Sequence, residues 1–203
     1  MGRMARMGAA VVVLVFLASI PARAQTSSYD AMVERLMNGD RTVDFTALRK
    51  AFTETPAYTQ AWANAVSMIR YRQLWNQPKI EDALKLATPI IAETFVDVNA
   101  HMVAFLAYQQ AGNTERAQFH RFIADGLLNS IRSSGDGKTK ATAFVVIATN
   151  EEYALLVRAM RLRPAGVATG KDGDHWYDDF KATDSTGAEV HYIFNIDKLF
   201  PGK

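Results

Sequence analysis

Apolar residues recur at helical spacing through about the first two thirds of the chain, and after residue 133 they give way to the short runs that build strands. Met32, Val33, Leu36 and Met37 form the first stripe, which Asn38-Gly39-Asp40 stops. Asp44 stands at the N-cap of a second helix bearing Phe45, Leu48 and Phe52, and Thr55-Pro56 ends it. Trp62, Ala65, Val66 and Ile69 predict a third helix over residues 58–75, broken at Asn76-Gln77-Pro78. A fourth is predicted over 79–94, bent near Thr88-Pro89 because proline lacks a ladder donor and crowds the preceding turn. Asp97 is placed to cap a fifth from Val98 to Ala111, and Gly112-Asn113-Thr114 joins it to a long sixth from Glu115 to about Ser133. Connections this short set successive helices antiparallel.

Ala83 and Ala117 lie 34 residues apart, the tetratricopeptide period. Around the second, His101, Phe105, Tyr108, Gly112, Ala117 and Ala124 follow that repeat's small, large and turn positions. Any tight helical hairpin also places small residues where its helices cross. Both readings come to stacked antiparallel helices.

Beyond Ser133-Ser134-Gly135-Asp136-Gly137, the run AFVVIA from Ala143 to Ala148 predicts a strand buried on both faces. Asn150 is expected to cap a helix that covers the sheet, with Glu151 and Glu152 in its first turn. Pro164, Gly166, Gly170 and Gly173 read as a loop, followed by a hairpin of residues 176–183 and a strand bearing Val190, Tyr192, Phe194 and Ile196. The fold expected is α+β: stacked antiparallel helices with a tetratricopeptide-like hairpin over about 29–133, then a small, mainly antiparallel sheet with one covering helix over about 140–203. The two parts are read as a single domain, 25–203, since no linker-like composition separates them.

With 203 residues, 49% hydrophobic and 22% charged, the chain has the composition of a globular protein, and without cysteine it has no disulfide or thiol chemistry. Residues 1–24 read as a secretory signal peptide: Arg3 and Arg6, an apolar run from Ala9 to Ile20, then Pro21 and the triplet Ala22-Arg23-Ala24. The run falls short of the ~20 residues a bilayer span requires, and no later segment is apolar enough to span. The expectation is therefore an exported protein, periplasmic or secreted. Losing Arg3, Arg6 and Arg23 takes the formal charge from +2 to −1. A nearly neutral chain with scattered cations has no footprint for nucleic acid.

Gly135-Asp136-Gly137-Lys138-Thr139 ends like a phosphate-binding loop, but Arg132 occupies the place of its first glycine and a helix precedes it. Left-handed glycines that stop the long helix and turn the chain explain it better. KDGDHWYDD over 171–179 resembles a calcium loop, yet Trp176 and Tyr177 stand where an oxygen ligand and a glycine are needed. Counted from the Asn113 turn, His101 and His120 are about twelve and seven residues away, an axial offset of roughly 8 Å that argues against a shared ion and sets His101 level with Asp125. No nucleophile motif is present. Neither a metal nor a cofactor is expected.

Read together, Asn99-Ala100-His101, GLLNSIRSSGDGKT over 126–139, TAFVVIATNEEY over 142–153, Trp176-Tyr177-Asp178 and Tyr192-Ile193-Phe194 resemble the bacterial family catalogued as domain of unknown function 4919, found in exported proteins. The resemblance covers most of the chain after the leader. It implies export, a bacterial source and one helical-plus-sheet unit, and it carries no activity or catalytic residue. The leading expectation is a non-enzymatic module of the envelope that presents its helices to a protein or peptide partner. The alternative is a small-ligand binder or hydrolase-like enzyme whose pocket lies at the end of the long helix. That pocket would be built from Ser134, Gly135, Asp136 and Gly137, with His120 and one of Glu151 or Glu152; adjacent helix positions diverge by about 100°, which leaves the other glutamate on the surface.

Overall fold

A computed structural model describes residues 27–200; the leader expected over 1–24 lies outside the described residues. The helices are α1 (Ser28–Met37), α2 (Phe45–Phe52), α3 (Ser67–Trp75), α4 (Ile80–Glu93), α5 (Val98–Gln110), α6 (Thr114–Arg132) and α7 (Thr149–Tyr153). Two π-helical segments adjoin them: Trp62–Val66 runs into α3, and Ala154–Ala159 continues α7. The expected caps form. Asp44 accepts from Thr46 N and Ala47 N, Asp97 from Asn99 N and Ala100 N, and Asn113 from Arg116 N. Pro89 sits inside α4. Ala83 and Ala87 on α4, Ala100, Ala104 and Ala107 on α5, and Ala117 and Ala124 on α6 are all buried, so small side chains line the seams where these three helices meet.

Four strands, β1 (Phe144–Val145), β2 (Arg163–Asp172), β3 (His175–Thr183) and β4 (Glu189–Asn195), form a mixed sheet in the order β1-β4-β3-β2. The fold is α+β. β4 pairs antiparallel with β3 and β3 with β2, while β1 runs parallel to β4 through Phe144↔Phe194 and Val145↔Asn195. Phe180, Ala182, Phe194 and Ile196 share one hydrophobic cluster with Leu48 and Phe52 of α2, Ile123 and Leu127 of α6, and Leu155 and Leu156 of the covering π-turn.

Three sequence expectations need correction. The AFVVIA run is an edge strand of two residues, and Val145 is 39% exposed. The next three residues are buried in the main hydrophobic cluster; Val146 N still donates to the Asn195 carbonyl at 3.3 Å, and then side chains replace the ladder, Ile147 N donating to Glu151 Oε2 at 2.8 Å and its carbonyl accepting from Tyr58 Oη at 2.9 Å. Residues 163–172, read as a loop, form β2. The hairpin sets its register from Arg163↔Thr183 to Asp172↔His175, turning at Gly173 with φ +58°, while Pro164 is tolerated beside an irregularity on an outer strand. Asn150 does not cap α7. It lies within the helix, and Ala148 precedes the first turn without a side-chain cap.

Candidate functional site

Three consecutive residues of α7 send buried polar side chains in three directions, as the rotation of about 100° per helical residue requires. Asn150 donates from Nδ2 to Asp97 Oδ2 at 3.4 Å, and its carbonyl accepts from Asn99 Nδ2 at 3.3 Å. Asn99 in turn accepts from Trp75 Nε1 at 3.1 Å, which ties α3, α5 and α7 together. Burial pushes the Asp97 carboxyl up to about 6. Glu151 takes a two-pronged contact from Arg49, Nε to Oε1 at 3.0 Å and Nη2 to Oε2 at 2.6 Å, and the guanidinium also donates to Ser130 Oγ and the Val145 carbonyl. This ion pair joins α2, α6, β1 and α7.

Glu152 points toward β3. It is 0% exposed, and neither carboxyl oxygen finds a hydrogen-bond partner by geometry among the described residues. Burial, and then the neighbouring Asp178 carboxylate, hold its carboxyl well above the usual range. Asp178 accepts from Thr169 Oγ1 on β2. The Glu152 and Asp178 carboxyl groups therefore lie between the covering helix and the sheet, beside Tyr153, whose ring packs edge-on against Phe180. Both glutamates are buried, which overturns the expectation that one would be ordinary surface. Asp178 was missed in the calcium-like string, although alternation from Phe180 and Ala182 along β3 already turns position 178 inward.

His101 and His120, expected to be too far apart, meet at 3.0 Å through their Nδ1 atoms, and Asp125 pairs instead with Arg121 at 3.5 Å. Counting residues from the turn fails because long side chains on facing helices reach along the axis. The Phe95 carbonyl can only accept, so His101 carries its proton on Nε2 at 2.9 Å from that oxygen and His120 donates from Nδ1 to His101 Nδ1. Burial lowers His101 to about 3 and His120 to about 4. Both titrate near 6.5 when unfolded, so their contribution to stability is complete above about pH 6.5 and is lost as pH falls through 4 toward 3. Asp97 acts with the opposite sign. Its folded value is raised, so its contribution is complete below 3.8 and is lost as pH rises through about 6. The His101→Phe/His120→Phe variant is therefore expected to lose less stability than the wild type between pH 6.5 and 4. The difference for His101 alone approaches roughly 1.4 kcal/mol per pH unit in urea titrations; identical slopes would show that the pair is solvated.

The loop after α6 bonds mostly to itself. Ser134 Oγ donates to the Ile131 carbonyl at 2.6 Å and accepts from Val145 N at 2.8 Å. Asp136 accepts from Lys138 N at 2.9 Å and Thr142 Oγ1 at 2.6 Å, and these bonds lower its carboxyl. Gly137 has φ +69°, donates from N to the Thr142 carbonyl at 2.8 Å and accepts from Ile193 N at 2.8 Å, extending the β1 edge. Gly135 packs against the Thr142 backbone. The seven candidate residues thus fall into separate neighbourhoods: this loop, the His120–His101 pair, Glu151 with Arg49, and Glu152 with Asp178. Among the described residues no group of three or more His, Asp or Glu side chains is placed to hold a metal.

An open concave surface lies elsewhere. α1 and the end of α4 bound a groove of about 600 Å³ lined by the apolar side chains of Tyr29, Val33, Ile91 and Phe95 and by the exposed Met37, with the carboxylates of Asp30, Glu34 and Glu93 beside them. Tyr29 Oη accepts from Phe95 N at 3.0 Å, which fixes one bank to the other. A second depression of about 400 Å³ shares Tyr29, Asp30 and Glu93 and adds Glu54. Sequence reasoning missed the groove, although Met37, 61% exposed at the end of an apolar stripe, signals it.

No curated protein and no solved structure matches the chain. The family model described as domain of unknown function DUF4919 matches residues 18–200, nearly the whole chain. With the α+β fold, the Ser-Gly-Asp-Gly loop and the Asn-Glu-Glu hub all inside the matched span, the chain belongs to the DUF4919 family.

Proposed function

We propose that this protein is an exported, non-enzymatic module of the bacterial envelope that holds a protein or peptide partner in the groove between α1 and α4. Export follows from the leader-like residues 1–24. The observation that carries the binding role is the groove itself. Its volume of about 600 Å³ falls in the range of ligand sites, its floor is apolar, and the Tyr29–Phe95 hydrogen bond makes it preformed. By contrast, the ionisable side chains suited to acid–base chemistry at Glu152 and His101 are buried among packed residues. The tetratricopeptide-like reading of α4 to α6 accords with a role in binding, since stacked hairpins offer concave surfaces.

Val33→Asp and Ile91→Asp place a charge on the groove floor. Each is expected to abolish capture of a partner from envelope extract by the immobilised protein, with the circular dichroism spectrum unchanged. Capture of the same partners by both variants, or of none by the wild type, overturns the proposal.

A further inference from the structure

We infer that the segment held in this groove is cationic as well as apolar: a short peptide stretch in which lysine or arginine flanks two apolar anchors. The inference rests on the reading of the groove as a binding site and adds the chemistry of its occupant. The two adjoining depressions carry the carboxylates of Asp30, Glu34, Glu54 and Glu93, and neither is lined by a lysine or arginine. Arg35 of α1 is turned away and paired with Asp40 at 2.7 Å, and Arg70, outside the lining, pairs with Glu93 at 2.6 Å and donates to Thr94 Oγ1 at 3.2 Å. Glu34 makes no ion pair among the described residues, whereas Asp30 accepts from Ser27 Oγ at 2.7 Å.

Asp30 and Glu34 are one helical turn apart, so their carboxylates follow one bank of the groove while Glu93 stands on the other. Between the banks, Tyr29, Val33 and Met37 recur every fourth residue and make an apolar stripe about 12 Å long at ~1.5 Å per residue. An extended segment of about four residues covers that length at ~3.3 Å each. Its two apolar side chains would settle against Val33, Ile91 and the adaptable Met37, and its cations would meet Glu34 and Asp30 along the α1 bank, since Glu93 is already paired with Arg70. An acidic segment would meet like charge along the α1 bank, which selects against it.

The test uses the purified protein and three fluorescent peptides of equal length: leucine and valine flanked by lysine and arginine, the same core flanked by glutamate, and a lysine-serine peptide without apolar residues. Anisotropy is expected to show binding of the first alone, weakened by about 0.5 M salt, where the Debye length shrinks to about 4 Å, as an exposed ion-pair rim requires. Glu34→Gln should weaken it roughly two- to fivefold and Glu34→Lys further, while Val33→Asp abolishes it. Equal or tighter binding of the glutamate peptide overturns the inference and leaves the groove as a binding site. So does capture of a Val33-dependent partner from extract while all three peptides fail. Self-association that Val33→Asp abolishes, seen by sedimentation, identifies a second copy as occupant and also overturns it. Failure of peptides and extract together removes both readings.

Discussion

Arg49→Met is expected to destabilise the protein by about 3–5 kcal/mol, because it strands the Glu151 carboxylate in the interior. Arg49 is 4% and Glu151 2% exposed, and the guanidinium meets both carboxylate oxygens, Ser130 Oγ and the Val145 carbonyl. Removing one partner leaves the other charge without water or counter-ion. The Arg49→Met/Glu151→Met pair is expected to recover part of the loss, since neither charge then remains buried; Ile147 N loses its acceptor and limits the recovery. Urea titrations with unchanged m-values measure both. A cost below about 1 kcal/mol for the single variant would mean that solvent reaches the pair.

Gly135→Ala is expected to cost about 3 kcal/mol, the upper end of ordinary overpacking, although Gly135 does not need a left-handed backbone. An added Cβ would lie well inside contact distance of the Thr142 carbonyl oxygen, and a backbone atom cannot rotate out of the way. Gly112→Ala provides the comparison. There φ is +71° with open space around the position, so the cost is the conformational penalty alone, about 1 kcal/mol. Equal costs at the two positions, measured by thermal or urea unfolding, would show that the loop after α6 shifts to admit the methyl group.

Legibility in the sequence followed the range of the interaction. Asp44, Asp97 and Asn113 were readable as caps because a cap satisfies amides two or three residues away. α1, α2, α5 and α6 followed from stripes with local stops. β2 was illegible because its glycines and proline favour a loop locally, and only pairing with β3 across the Gly173 turn makes it a strand. The AFVVIA run misled for the converse reason: Val146, Ile147 and Ala148 are buried in the main hydrophobic cluster, but past Val146 the backbone partners are Glu151 and Tyr58 at Ile147 instead of a second strand. At the site, Glu151 and Glu152 were readable as first-turn acids of which one could reach a pocket, but that both are buried was not, since their partners lie far away along the chain, at Arg49 and Asp178.

From the order of its residues alone, the chain states its α+β class, the identity and capping of most helices, and its resemblance to the family it belongs to. These depend on period and on contacts within a turn or two, which the local backbone enforces. Packing alone decided that Asn150, Glu151 and Glu152 each face a different partner, that His101 meets His120, and that α1 and α4 leave an acid-rimmed groove. Each of those outcomes depends on how helices distant in sequence are set against one another, a matter of summed burial and shape that no local pattern encodes.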